Sequence, residues 1–369
     1  MSLGQIQAGY GKIEESVTSF RKAYYLGREA GQMFMEIISL MNLALKLNQL
    51  GNLQEALTLC RQNMKRYKKG SDYLEPLARL IFIPSGILYY YRGDYQKARN
   101  NLVKGIEISE QLKLAHVSWM PKIYYALSSF EMGEIELAYE IIDETLDYTQ
   151  KFNLKPNYIW AETVKISFDL RIERKVGRKK VEYYKKMSLQ NLSPIIKSRI
   201  VLMLSQLLIN EDKYQEAVNV LQKLKDLNIN YTDKIIKNIF LSISYFKIDN
   251  KTEAEDFFLK ALQMAEKNKY ISPLVQPGKA LLPILSEFND MAPDLIQSLK
   301  EYILKPLDTD NVVDSSAELI DPLTDREKEI LNHLTKGLSN KKIAENLFIT
   351  EGTTKWHLSN IYSKLGIKN

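Results

Sequence analysis

The sequence predicts an all-α protein, a right-handed helical solenoid followed by a small helix-turn-helix domain. Three observations support this fold class. A turn followed five residues later by a small residue recurs about every 40 residues through residues 1–304, as in helical repeat arrays. The stretch Leu323–Asn369 carries the capping residues and apolar spacing of three short helices. The content of 45% hydrophobic and 26% charged residues is that of an ordinary globular chain.

Each repeat is predicted to be a pair of antiparallel helices joined by one of these turns. Small residues on both helices let the two backbones approach, and aromatic residues fill the space toward the next pair. The spacing indicates about seven units, and the first, at Gly11, is expected to lack its leading helix. The turns and their alanines are Gly51 with Ala56, Gly93 with Ala98, Gly133 with Ala138, and Asp212 with Ala217.

This pattern resembles the tetratricopeptide repeat in a lengthened and degenerate form. The unit around Tyr158–Met187 matches it poorly. That unit contains the basic run Arg171–Lys180, which is interpreted as a solvated loop, with an anion site as the alternative. From Tyr270 to Leu304 two helices are expected to cap the array, because a solenoid end needs a closing face. Residues 1–304 are therefore predicted to form a repeat superhelix with C-terminal capping helices.

The C-terminal stretch, residues 322–369, is predicted to form a domain of its own. Thr324 with Glu327 makes a capping box for its first helix, and Gly337 ends that helix. Ser339 and Thr350 can cap the second and third helices. One face of the third helix is apolar and should pack inside the domain: Thr354, Leu358, Ile361 and Leu365. The opposite face suits the DNA major groove: Lys355, Trp356, Ser359 and Ser363.

This domain resembles the LuxR-type DNA-binding domain of bacterial transcription regulators. The matching residues are Leu323-Thr324, Arg326-Glu327, Gly337, Ser339-Asn340, Ile343-Ala344, Leu347, Thr353, Lys355, His357, Ile361 and Lys364-Leu365-Gly366. Thr354 departs from the usual valine, and Trp356 is bulky where smaller residues are common. The family continues with a fourth helix, which is missing from this sequence because it ends at Asn369. Together with the repeats, the chain resembles the C-terminal half of the MalT-like regulators, without their N-terminal NTPase.

The resemblance implies specific roles and partners. Lys355, Trp356 and Ser359 would meet base edges of double-stranded promoter DNA, and Thr353, Asn340 and Lys341 would lie near phosphates. In this family the superhelix binds a small-molecule effector or a regulatory protein, and RNA polymerase is a further candidate partner. From the repeat register, candidate ligand-binding residues on the concave side are Asn48, Tyr90, Phe130 and Gln206.

Other functional classes are weakly supported. The histidines and the single cysteine, Cys60, lack ligand spacing, so we expect no metal site, no cofactor, no catalytic residues and no enzyme activity. The cysteine count and the lack of a long apolar run predict a cytoplasmic protein with no membrane partner.

The linker between the two domains, residues 305–321, is acidic and predicted to be flexible. A solvated tether is the first interpretation, and its pairing with the basic third helix in an inhibited state is the alternative. The predicted function is a DNA-binding transcription regulator whose repeat domain senses a ligand or partner. The alternative is a protein- or peptide-binding scaffold with DNA binding secondary.

Overall fold

A computed structural model describes residues 3–67, 76–174, 176–190, 192–225, 227–305, 325–347 and 349–365. Within these ranges the regular secondary structure is entirely helical, which confirms the predicted all-α class. None of the described helices is both long and apolar enough to cross a bilayer. Thr324, Gly366 and nearly all of the predicted linker lie outside the described residues.

Seven pairs of helices form the repeat region in the part of the chain that the structure describes. They are α1 (Leu3–Gly9) with α2 (Ile13–Glu29), α3 (Met33–Gln49) with α4 (Leu53–Tyr67), α5 (Phe82–Tyr91) with α6 (Tyr95–Gln111), α7 (Ala115–Glu131) with α8 (Ile135–Lys151), α9 (Lys155–Arg171) with α10 (Arg178–Ser188), α11 (Pro194–Asn210) with α12 (Tyr214–Gln222), and α13 (Tyr231–Lys247) with α14 (Lys251–Asn268). A 3₁₀ helix, Pro76–Ile81, precedes α5. The first pair has a leading helix after all, although a short one, because Leu3–Gly9 packs against α2.

The turn inside each pair contains a residue in the left-handed region. Gly51 and Gly93, with φ of 92° and 83°, are two of them. A side chain at Gly51 would also lie 2.5 Å from the ring of Tyr231, and one at Gly93 would lie 2.9 Å from Ile271. Glycine is therefore required at these turns for two reasons: the positive φ angle, and the close approach of Tyr231 and Ile271 from later parts of the chain. These contacts show that the superhelix winds tightly enough for α13 to reach α3.

The small residues after the turns are buried as predicted. Ala56, Ala98, Ala138 and Ala217 are all fully inaccessible to solvent. The irregular fifth pair is held by side chains instead, because Tyr184 and Lys180 on α10 both donate to the carboxylate of Glu162 on α9. The basic run of this unit is only partly solvated, since the side chain of Arg171 is 9% exposed and pairs with Glu131.

The segment after the last pair, residues 270–304, is called the return segment. It contains α15 (Ser272–Val275), α16 (Leu282–Glu287) and α17 (Pro293–Leu304), with short 3₁₀ helices at Gly278–Leu281 and Asn289–Met291. It packs on the last pair, where a cap was expected, and it also reaches earlier pairs along the inner side of the superhelix. The Tyr270 hydroxyl donates to Asn48 Oδ1 at 2.9 Å, and the Tyr302 hydroxyl donates to Glu131 Oε2 at 2.7 Å. The return segment therefore occupies part of the concave groove.

The C-terminal domain consists of α18 (Asp325–Thr335), α19 (Asn340–Leu347) and α20 (Glu351–Leu365). Its core is made by Ile330, Ile343, Leu358 and Ile361. The predicted caps of the second and third helices are present. The Lys342 N–H donates to Ser339 Oγ at 3.3 Å, and the Thr353 N–H donates to Thr350 Oγ1 at 3.0 Å.

Candidate nucleic-acid interface

The predicted DNA-reading helix, α20, is held by the small core behind it. Thr354, on the inner face, is fully buried, and its hydroxyl donates to the Thr350 carbonyl at 3.2 Å. The hydroxyl that replaces the usual valine methyl is therefore satisfied within the helix. The inner face of α20 matches the prediction at every position whose side chain is described.

The outer face of α20 lies against the repeat superhelix. Lys355 Nζ lies 3.1 Å from Glu140 Oε1 on α8 and 3.7 Å from Glu351 Oε1 on its own helix. The lysine side chain is 45% exposed and the Glu140 side chain 30%. The pair to Glu140 raises the pKa of Lys355 above its usual value, because the carboxylate stabilises the ammonium.

Trp356 is far more buried than Lys355, the other predicted base-reading residue whose side chain the structure describes. Its side chain is 6% exposed, and its ring meets the Tyr125 ring of α7 edge-on, with centroids 5.9 Å apart. Val103, Ile106 and Ile141 line the same small hollow. The expectation that Trp356 lies on an exposed surface is wrong for this arrangement, because the superhelix offers the indole an apolar site. The indole N–H has no hydrogen-bond partner among the described residues.

The N-terminus of α20 receives an acidic side chain from α8. Thr350 Oγ1 donates to Glu144 Oε2 at 3.3 Å, and the Gly352 backbone N–H donates to the same carboxylate. Burial raises the pKa of Glu144. A helix N-terminus attracts anions because its N–H groups are unpaired and its dipole is positive there. Glu144 therefore occupies a position suited to a DNA phosphate.

A further contact joins His357 to Glu107 on α6. His357 is 1% exposed, and its Nε2 lies 3.6 Å from Glu107 Oε1. Burial raises the pKa of Glu107 to about 7. The docked face of α20 thus meets three acidic residues, Glu107, Glu140 and Glu144. Nothing in the sequence marks these three residues as partners of α20, since acidic residues on repeat helices ordinarily face solvent.

The remaining predicted DNA residues are less engaged by the superhelix. Thr353 borders the hollow around Trp356 and shares a 2.8 Å hydrogen bond with Thr350. Asn340 and Lys341 stand at the start of α19, where Lys341 is exposed. The side chain of Ser359 lies outside the described residues. The structure therefore brings Lys355, Trp356 and Thr353 together on one face, apart from Asn340 and Lys341.

Two of the four predicted ligand residues border cavities of the repeat region. Tyr90 borders a cavity among α5, α7, α9, α11 and α13, and Gln206 borders a second one nearby. Asn48 and Phe130 border neither cavity. Asn48 is buried and bonded to Tyr270, and Phe130 is fully buried and stacked on Phe168 at 4.2 Å. Their part in ligand binding stays a prediction.

No residue cluster suited to a metal ion occurs among the residues that the structure describes. Cys60 is buried, and burial raises the pKa of its thiol to about 12. A thiol with that pKa is a poor nucleophile at neutral pH.

Two family models match separate parts of the chain. The family model of the MalT-like TPR region matches residues 1–290, and the model of bacterial regulatory proteins of the luxR family matches residues 321–369. The HTH-type transcriptional regulator MalT of Serratia proteamaculans is 28% identical over 193 residues, which are 46% of this chain and 21% of that protein. The MalT of Yersinia enterocolitica is 29% identical over 178 residues, or 42% of this chain and 20% of that protein.

A third relative, the transcriptional regulatory protein LnrK of Bacillus subtilis, is 45% identical over 93 residues, which are 25% of this chain and 42% of that protein. The chain thus spans about a fifth of the length of the MalT relatives and about two fifths of LnrK. The chain belongs to the family with the MalT-like TPR region, and its residues 321–369 match the luxR family of bacterial regulatory proteins.

Proposed function

We propose that the repeat superhelix of this regulator senses a small ligand or a protein partner and controls the access of α20 to promoter DNA. The observation that carries the proposal is the docked face of α20. Lys355 and Trp356 contact the superhelix with the same side chains that are predicted to reach bases. A helix face that lies against α7 and α8 is not available to the major groove. The structure is therefore interpreted as a closed state.

The free energy of docking is small enough for the binding of a ligand or partner to reverse it. Burial of the Trp356 ring contributes roughly 3 kcal/mol, and the half-exposed pair of Lys355 with Glu140 adds up to about 1 kcal/mol. The unpaired indole N–H costs about 1–3 kcal/mol. With about 1.5 kcal/mol for the charge-assisted hydrogen bond to Glu144, these terms give a net preference of about 3 kcal/mol, which would leave about 1% of the molecules open. A modest difference in effector affinity between the two states would then shift the population.

The alternative function, a peptide-binding scaffold, is less favoured by the geometry. The concave groove is where such arrays offer an extended binding surface. Here the return segment lies along part of that surface, with Tyr270 and Tyr302 bonded to α3 and α7. RNA polymerase as a further partner stays a prediction.

The experiment removes the acidic side of the docking site without touching α20. The variant Glu140→Gln/Glu144→Gln should bind an operator, selected from a random duplex library, about tenfold more tightly than the unchanged chain. The control Glu136→Gln/Asp147→Asn removes the same charge from exposed positions of α8. Equal tightening by both doubles would show a general charge effect, and no tightening by the first would refute the closed state.

A further inference from the structure

The inner side of the superhelix encloses a cavity of about 130 Å³. The first helices of five successive pairs, α5, α7, α9, α11 and α13, contribute to its walls, and the return segment adds Ser272, Pro273 and Gln276. Two arginines line it. Arg171 already has an ionic partner, because its Nη1 lies 2.5 Å from Glu131 Oε1, and the two side chains are 9% and 3% exposed.

Arg199, the second arginine, has a different environment. Its guanidinium lies over the Trp160 ring, 4.1 Å from the centroid, and forms no ion pair or hydrogen bond among the described residues. Asp233 also borders the cavity, and its charge partly offsets that of Arg199, but the carboxylate accepts its 2.7 Å hydrogen bond from Ser198 rather than from the guanidinium. Burial lowers the pKa of Arg199 and raises that of Asp233. Each shift means that the charged form lacks part of the stabilisation that water would give it.

An under-compensated guanidinium at a cavity wall is a recognition group for an anion. Its five N–H donors match the two oxygens of a carboxylate or phosphate. The aromatic walls, formed by Trp160, Tyr91 and Tyr124, suit a ring or apolar body. Tyr91 and Tyr124 share a 2.6 Å hydrogen bond between their hydroxyls, which fixes both rings at the wall.

We propose that this cavity binds a small anion, with its carboxylate or phosphate on Arg199, its body between Trp160 and the two tyrosines, and a hydrogen-bond donor toward Asp233. The inference rests on the proposed sensing function and names the chemical class of the effector. The cavity and the docking site share helix α7, since Tyr124 lines the cavity and the next residue, Tyr125, packs against Trp356. Occupation of the cavity thus has a direct route to the docked face of α20.

The experiment compares two anions with their neutral counterparts on the full chain. Benzoate is set against benzamide, and glucose 6-phosphate against glucose, by calorimetric titration and by the melting temperature. We expect at least one anion to bind about tenfold more tightly than its neutral partner, which is the size of one charge-assisted hydrogen bond. The preferred pair identifies the anion as carboxylate or phosphate. Failure of both pairs to show a preference would overturn the proposal.

Variants locate the binding. Arg199→Gln should abolish the preference for the anion, whereas the exposed Arg61→Gln on α4, which removes the same charge, should keep it. Arg199→Lys retains the positive charge but cannot donate the bidentate pair of hydrogen bonds, so it should weaken anion binding without abolishing it. Binding that survives unchanged in Arg199→Gln would also overturn the site.

These measurements involve no DNA, so they separate the site from the proposed function. An anion that binds through Arg199 but leaves operator affinity unchanged would support the cavity and count against its control of α20. If operator affinity responds to the docking-site variants but neither pair shows a preference for the anion, the control of α20 by docking is supported and the anion site is refuted.

Discussion

A single methyl group at Gly352 should open the docked state. A Cβ at this position would lie 2.3 Å from Glu144 Oε1 and 2.9 Å from its Cδ. The carboxylate would have to move away, and it would lose the hydrogen bond from the Gly352 N–H. A charge-assisted bond of this kind is worth about 1.5–3 kcal/mol, and partial solvation reduces that value. We therefore expect Gly352→Ala to weaken docking by about 1–2 kcal/mol.

The domain itself should tolerate the change. Gly352 is the second residue of α20, and alanine is favoured over glycine in a helix by up to about 1 kcal/mol. Operator affinity, measured by fluorescence anisotropy, should therefore rise about 5- to 30-fold for the full chain. The rise should be larger at low ionic strength, because the charge pairs that hold α20 on the superhelix, such as Lys355 with Glu140, are then screened less.

A double-mutant cycle separates docking from any direct effect on DNA. In a Glu144→Ala background the added methyl has no carboxylate to displace, so Gly352→Ala should change operator affinity little. The same tightening in both backgrounds would assign the effect to α20 alone. No tightening in the native background would refute the closed state as described.

Three further results are expected. Lys355→Ala should weaken binding to the operator by roughly 1–3 kcal/mol more than binding to scrambled DNA once docking is relieved by Glu140→Gln; equal losses on both would refute base contact. Lys341→Ala should weaken both duplexes alike and lower the salt slope by about one unit, which titration at several salt concentrations measures. Burial raises the pKa of Glu107 from its usual value of 4.5 to about 7. The folded state therefore favours the protonated carboxyl, and the stability that this carboxyl contributes is complete below pH 4.5 and is lost as the pH rises through about 7. Glu107→Gln should therefore melt higher than the unchanged chain at pH 8 and show no such gain near pH 4, and an equal gain at both would refute the assignment.

The repeats were predictable because their signals are local. A left-handed turn needs glycine or a tolerant polar residue, and a close helix pair needs alanine, so residues such as Gly93 and Ala98 mark each unit in the sequence itself. The cap residues Ser339 and Thr350 are equally local. The path of the return segment was not predictable in this way. Its contacts, such as Tyr270 with Asn48, depend on how far the superhelix has turned over some 220 intervening residues.

The docked helix marks the limit of sequence reasoning for a different reason. Lys355 and Trp356 have a pattern that suits DNA, and the same pattern suits an acidic and apolar protein surface, because both partners offer oxygens for the cation and a flat apolar contact for the ring. The matching surface, Glu140, Glu144 and Tyr125, is spread over two helices whose acidic residues have the ordinary composition of a solvated face. Complementarity between two surfaces can be recognised only when the three-dimensional positions of both are known. If one face of α20 serves both partners, its residues are constrained by each: Trp356, bulky for its family, gains a site in the superhelix and must be withdrawn from it before DNA can be read.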